Sequence, residues 1–264
     1  MKDYINNSWE PILKANNLDS FEKLWEIKAD WFEPPNKRRG GWSGVSRLEL
    51  ANPEGGSLVV FLKRQENHIY KPIRNLIKGA PTFRREMKNI QRFTHFGIPI
   101  PDPVFYGERS VNKQIRAILV TASIAPDYRS LEDWSAHWKK EGQPSHADKK
   151  LILQTVAESI KKIHKQFLKH GALVSKHIFI KYQPGQAPSV RFIDLEKTRY
   201  ALLSRRAVFG DLKALSRSLP DIGSVDKSRF YKYYLGTDRL TRENAGLMLK
   251  ISNALSKKAK KQGS

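Results

Sequence analysis

Ile152, Val156, Ile160, Ile163 and Phe167 recur at spacings of four, four, three and four, the period of one buried face of a long helix. Ser145, followed three residues later by Asp148, gives that helix a capping-box-like start. The pattern then changes. Residues 178–180 and 190–193 are short apolar runs separated by QPGQAP, whose Pro-Gly marks a turn, so they predict a β-hairpin. HGALVSKH leads into that hairpin and Asp194 leaves it. Upstream, Phe83, Met87 and Ile90 form the apolar stripe of another helix, with Thr82 as its N-cap. Gly55-Gly56 turns into SLVVFLKRQENH, where alternation sets Val59, Phe61 and Lys63 on one strand face. IRAILVT, residues 115–121, reads as a further strand.

Around these elements the pattern is weaker. Residues 1–36 read as helical and peripheral, with Asp19 and Glu22 marking a helix start and Pro34-Pro35 an end. NKRRGGWSGVSRLEL is a glycine-rich turn entering a strand. FGIPIPDPVFYG is extended, with a turn at Gly107. SLEDW starts a helix, and EGQPSHADKK is a polar connection. Residues 209–215 and 230–235 carry further helical patterns, and a last helix presents Leu247, Ile251 and Leu255 before a basic tail.

Composition narrows the class. A chain of 264 residues can build one two-lobed domain or two small ones. Its lack of cysteine excludes disulfides, thiolate catalysis and cysteine-ligated zinc, and fits a cytosolic protein. No apolar run reaches the length of a membrane span, and MKDYINNSWE is not a signal peptide. The formal charge of +22 implies attraction to polyanions: nucleic acid, anionic lipid headgroups or a phosphorylated glycolipid. Basic residues are densest at 37–39 and 257–261. The second of these runs reads as a solvated tail.

Lys63 is the first candidate for chemistry, because an ammonium in phase with apolar residues is costly to bury unpaired. A snorkelling or edge-strand lysine is the plain alternative. Glu86 is three residues after Phe83 and four before Ile90, so it borders the buried face of its helix. The positions three and four away from it hold Thr82, Phe83, Asn89 and Ile90, none of them a cation. A Lys63–Glu86 pair follows. Gly40, Gly41 and Gly44 would let backbone amides approach phosphates, although such a turn also serves an ordinary hairpin. His164, His170 and His177 are spaced six and seven apart and do not share a helical face as a zinc pair would. No GxSxG elbow is present.

The order of glycine-rich turn, strand lysine, helix glutamate, HG loop, KHIF, hairpin and IDLEK resembles the lipopolysaccharide kinase family, the Kdo and heptose kinases, and most of all its InaA branch. The resemblance covers about residues 39–235. It implies an α+β, protein-kinase-like two-lobed fold, with an N-terminal lobe of an antiparallel sheet plus a helix over residues 1–122. A mostly helical C-terminal lobe would occupy residues 123–264. The site implied is Gly40, Gly41, Gly44, Lys63 and Glu86 on the nucleotide, with Asp194 and His177 on magnesium. His170 would order the loop, and Lys176 would lie near the γ-phosphate. Asp211 would brace the loop, or else simply cap a helix. The general-base position holds Ala172, with Asp127 or Glu196 as substitutes. The implied activity is transfer of phosphate from ATP, with Mg2+, to a lipopolysaccharide core sugar or lipid A precursor, at the anionic cytoplasmic face of the inner membrane. Ala172 equally suits a nucleotide-binding pseudokinase with an envelope or stress-response role. A nucleic-acid-binding module has charge alone in its favour, and no specific nucleic acid is expected.

Overall fold

The structure, a computed structural model, describes residues 3–38, 40–71, 79–124, 126–201, 204–219, 222–241, 245–246 and 248–254. The basic run at 257–261, Arg39 of the other run, Leu247 and Leu255 lie outside the described residues. Two compact units are formed, residues 1–91 with 101–124 and residues 92–100 with 125–264.

The first unit runs β1 (Tyr4–Ile5), α1 (Glu10–Ala15), α2 (Phe21–Glu26), β2 (Trp31–Arg38), β3 (Gly41–Ala51) and β4 (Ser57–Glu66). The short pair β5 (Ile69–Tyr70) and β6 (Ala80–Pro81) leads to α3 (Thr82–His95), whose residues from Arg92 on belong to the second unit, followed by β7 (Pro103–Val111) and β8 (Gln114–Ala122). Six strands make one antiparallel sheet in the order β1-β7-β8-β4-β3-β2. The central strand β4 pairs Lys63 with Val45 on one side and Leu119 on the other.

Four expectations change here. Residues 31–38 are an edge strand and not part of a helical segment. An edge tolerates Pro34 and Pro35 because one side of the strand needs no amide donors, and the pairing with β3 is irregular across Trp31, Glu33 and Asn36. The cap of α2 is Ser20, whose hydroxyl accepts the Lys23 amide, while Asp19 pairs with the Lys23 side chain. Gly107 lies within β7 opposite Ile118, and the turn is at Asn112-Lys113, both at positive φ as a two-residue hairpin requires. Gly107 is glycine because a Cβ there would stand 2.9 Å from the Phe21 ring and 2.7 Å from Asp3. Finally, the fully buried face of β4 is Val60 and Leu62, packed with Leu13, Leu24 and Phe105, whereas Val59, Phe61 and Lys63 are half-buried on the other face.

That assignment puts Arg64 in the core phase. Its guanidinium donates to the carbonyls of Trp25 and Ile27, at 3.0 and 2.9 Å, and lies 4.8 Å from the Trp31 ring centroid. It therefore caps the C-terminal end of α2, where carbonyls and helix dipole favour a cation. Arg64→Ala is expected to lower unfolding stability by about 2 kcal/mol, measured by urea denaturation, because both carbonyls lose their donor. Loss of less than about 0.5 kcal/mol would show that the cap is dispensable.

The second unit contains β9 (Tyr128–Ser130), α4 (Leu131–Glu141), α5 (His146–Lys165), β10 (Leu168–Lys169), β11 (Ile178–Lys181), β12 (Ser189–Phe192), β13 (Arg199–Tyr200), α6 (Ser204–Ser218) and α7 (Ser224–Leu235). Residues 248–254 are also helical, with Ile251 buried. Ser130 caps α4 through the Asp133 amide, and Ser145 caps α5 through the Asp148 amide at 3.1 Å. Ile152, Val156, Ile160 and Ile163 are buried along α5. Phe167 is not the next residue of that stripe. The helix ends at Lys165, Phe167 turns to φ +55° and is 59% exposed, and Leu168 takes the buried place.

Candidate functional site

In the first unit, Lys63 Nζ donates to Glu86 Oε1 at 2.6 Å. The carboxylate is buried and the lysine half-buried. Strand phase and helix phase make this pair. Lys63 projects from the half-buried face of β4, and Glu86 comes one turn after Phe83 on α3. The helix is fixed at its start by Gln65, two residues beyond Lys63. Gln65 Oε1 accepts the Thr82 hydroxyl at 2.8 Å and the Phe83 amide at 3.2 Å, and Gln65 Nε2 donates to the His68 carbonyl. Thr82 is thus the first helical residue and not the cap. Sequence reasoning missed Gln65, since a glutamine following an arginine in a strand carries no cap signal of its own.

Gly40 sits at φ +77° in the turn between β2 and β3. A Cβ on Gly41 would run into the Glu66 carbonyl, and one on Gly44 would stand 2.6 Å from the Trp31 ring. These two glycines are therefore required by close packing within the unit.

In the second unit, the loop between β10 and β11 is held by α6 at two points. Asp211, buried in the middle of α6, accepts the amides of His170 at 2.7 Å and Gly171 at 2.9 Å. Its position inside the helix excludes the capping alternative. Two turns on, Ser218 Oγ accepts the Ser175 amide at 2.8 Å, and the Ser218 carbonyl accepts the Ser175 hydroxyl. Gly171 is at φ +82°, and a Cβ there would lie 2.6 Å from the Lys197 carbonyl. Behind Asp211, His164 Nε2–H donates to its carboxylate at 3.3 Å, and the other ring nitrogen bonds the Tyr234 hydroxyl at 2.8 Å. Ser218, His164 and Tyr234 were not foreseen; each is one polar residue on a helix, recognisable only from its tertiary partner.

His170 is fully buried, and burial pushes its imidazole down to about 4, against the opposing pull of Asp211 and Asp194. It is therefore neutral near pH 7, with Nδ1 accepting the Ala172 amide at 3.3 Å. His177, in the short 3-10 turn Ser175–His177, donates from Nδ1 to the Ala172 carbonyl at 2.8 Å. In its neutral form this leaves Nε2 as a lone-pair acceptor. The same Nδ1 is 3.6 Å from Asp194 Oδ2. Asp194 follows β12 in left-handed backbone at φ +60°, and the neighbouring Ile193 amide donates to the His177 carbonyl at 3.1 Å. The register Ile178↔Phe192 thus brings Asp194 beside His177. Lys176 is exposed on the same turn.

The donor set can be tested against magnesium. Mg2+ takes oxygen ligands and is commonly held by one or two carboxylates, with substrate phosphates and water completing the shell. Asp194, about one-third exposed, fits that role. His177 fits it less well, since imidazole suits softer metals. No group of three or more His, Cys, Asp or Glu able to hold a metal occurs among the described residues, so the rest of the shell would come from ligand and solvent. Of the substitutes for a base at Ala172, Asp127 is tied to Lys181 by an ion pair that holds its carboxyl below the usual range. Glu196 is half-buried in the turn Leu195–Lys197.

Comparison with known proteins converges on one family. The family model described as the lipopolysaccharide kinase (Kdo/WaaP) family matches residues 22–234. Protein InaA of Escherichia coli K12 is 31% identical over 216 residues, covering 82% of this chain and 95% of that protein. The lipopolysaccharide core heptose(I) kinase WaaP of the same organism is 28% identical over 233 residues, covering 83% and 82%. A solved structure of WaaP in complex with acyl carrier protein superposes with a TM-score of 0.70 over 97% of this chain and 99% of that one, at 24% identity. The α+β fold is therefore kinase-like.

Proposed function

Because the chain belongs to the lipopolysaccharide kinase (Kdo/WaaP) family, we propose that it transfers the γ-phosphoryl group of ATP to a hydroxyl of a lipopolysaccharide inner-core sugar, Kdo or heptose. The products are ADP and a sugar phosphate. The observation that carries this reading is the 2.6 Å Lys63–Glu86 pair, a buried carboxylate holding a half-buried lysine. In phosphoryl transfer such a lysine meets the nucleotide phosphates. Asp194, aided by His177, would hold Mg2+, which when bound neutralises charge on the phosphates. Asp211 and Ser218 keep the loop fixed, so that His177 stays oriented through the Ala172 carbonyl. The transition state is loose, and catalysis rests on positioning and charge more than on a base. Ala172 then lowers the rate without removing the reaction. A peripheral position on the cytoplasmic face of the inner membrane follows from the acceptor; no described helix is long and apolar enough to cross a membrane.

Two further points bear on partners and on turnover. A cavity of about 240 Å3 in the second unit, lined by Leu131, Ile152, Val156, Leu215 and Phe230 with Lys139 and Lys227 among them, suits an acyl chain. It supports acyl carrier protein as a partner, by analogy with the WaaP complex. The alternative reading is a nucleotide-binding regulator without turnover, and Ala172 favours it.

Calorimetry of ATP binding with and without Mg2+, followed by transfer of labelled phosphate to purified core lipopolysaccharide, separates the readings. Lys63→Met is expected to weaken Mg-dependent ATP binding at least about tenfold, the scale of one lost charge-assisted contact. Binding together with labelled sugar supports the kinase. Binding with no labelled acceptor moves the protein to the regulatory reading. Absence of Mg-dependent ATP binding overturns both.

A further inference from the structure

Phe167 combines two unfavourable features. It occupies the position just past the α5 cap Gln166, at φ +55°, where glycine is the usual residue. It also leaves a large apolar ring 59% exposed. Single exposed aromatics are ordinary, but an aromatic in left-handed backbone at a helix end is not. The backbone is held there by the Phe167 amide to the His164 carbonyl at 3.1 Å and the Ala201 amide to the Phe167 carbonyl at 2.8 Å. Tyr200, itself 51% exposed, precedes Ala201 on the strand paired with β10, opposite Leu168, and carries the Arg92 guanidinium 4.6 Å from its ring centroid. Lys165, Lys197 and Arg199 are exposed on the same segments. From Ser159 to Tyr200 the sequence has carboxylates only at Asp194 and Glu196.

Exposed aromatic rings on segments that also carry exposed lysine and arginine match the headgroup layer of an anionic bilayer, where the rings enter the interface and the cations meet lipid phosphates. We propose that the end of α5 and the Arg199–Tyr200 strand form a docking surface for an anionic membrane. Phe167 and Tyr200 are its inserted residues, and Lys165, Lys197 and Arg199 its lipid-phosphate contacts. The proposal rests on the kinase reading only in that a lipopolysaccharide acceptor lies at a membrane.

The test is co-sedimentation of the full chain with vesicles of phosphatidylglycerol and phosphatidylcholine, and with vesicles of phosphatidylcholine alone. Binding is expected only to the anionic vesicles and weakens as salt is raised. Phe167→Gly is expected to lower the partition constant about tenfold while its thermal midpoint stays equal or rises, because glycine adopts this backbone without strain. Tyr200→Ser is expected to act in the same direction. The surface is overturned if both variants bind like wild type, or if neutral vesicles bind equally. It is also overturned if a short RNA duplex competes with the same residue dependence and binds more tightly than the vesicles. Loss of vesicle binding in wild type with phosphate transfer to detergent-dispersed acceptor intact rejects the surface and keeps the function. The opposite pattern rejects the function and keeps the surface.

Discussion

Asp194→Asn is expected to reduce phosphate transfer on the order of 10³-fold, the scale of losing a metal-held charge worth several kcal/mol in the transition state. The asparagine variant is the informative one. Asp194 sits at φ +60°, and asparagine tolerates left-handed backbone nearly as well as aspartate. The turn Leu195–Lys197 and the Ile193 amide bond to His177 should therefore persist, and the thermal midpoint should move little. What changes is one negative charge 3.6 Å from His177 Nδ1. Raising Mg2+ should recover part of the activity if the carboxylate serves as a magnesium ligand. Wild-type transfer rates in Asp194→Asn would remove Asp194 from the chemistry, and with it the reading of the hairpin end as a metal site.

The hairpin and its two flanking residues were legible because their signals are local. The apolar runs 178–180 and 190–193, with a Pro-Gly between them, anticipated the strands Ile178–Lys181 and Ser189–Phe192 to within a residue, and the register then fixes where residue 194 must emerge. Ser145 announced its helix by its spacing to Asp148. Lys63 and Glu86 were paired in advance, since each carries its charge among apolar neighbours in sequence. The face of β4 was misread, however. Val59 and Phe61 look as apolar as Val60 and Leu62 in sequence, and only the packing of α1 and α2 decides which side is sealed. Edge-strand prolines read as a terminator because sequence does not show which strands are edges. Gly107 and Phe167 failed for related reasons. A glycine was taken as a turn when a neighbouring ring required its missing Cβ, and an aromatic in perfect helical phase lay two residues beyond the end of the helix.

Asp211→Ala is expected to destabilise the protein by about 3–5 kcal/mol, the cost of leaving buried polar partners without their charged acceptor. One carboxylate serves three donors, the amides of His170 and Gly171 and the ring of His164. It is only 1% exposed, so water cannot replace it without opening the unit. At roughly 2–4 °C per kcal/mol for a chain of this size, the thermal midpoint should fall by about 6–20 °C. Tyr234→Phe provides the graded control. It removes one hydroxyl from His164 and leaves Asp211 and both loop amides bonded, so about 1 kcal/mol is expected. If the two variants cost the same, the loop is held elsewhere, with the Ser218 contacts to Ser175 the first candidates. If Asp211→Ala is far the worse, the single acid on α6 is what turns a flexible HG segment into a fixed platform. The orientation of His177 through the Ala172 carbonyl then depends on an acid buried inside the second unit.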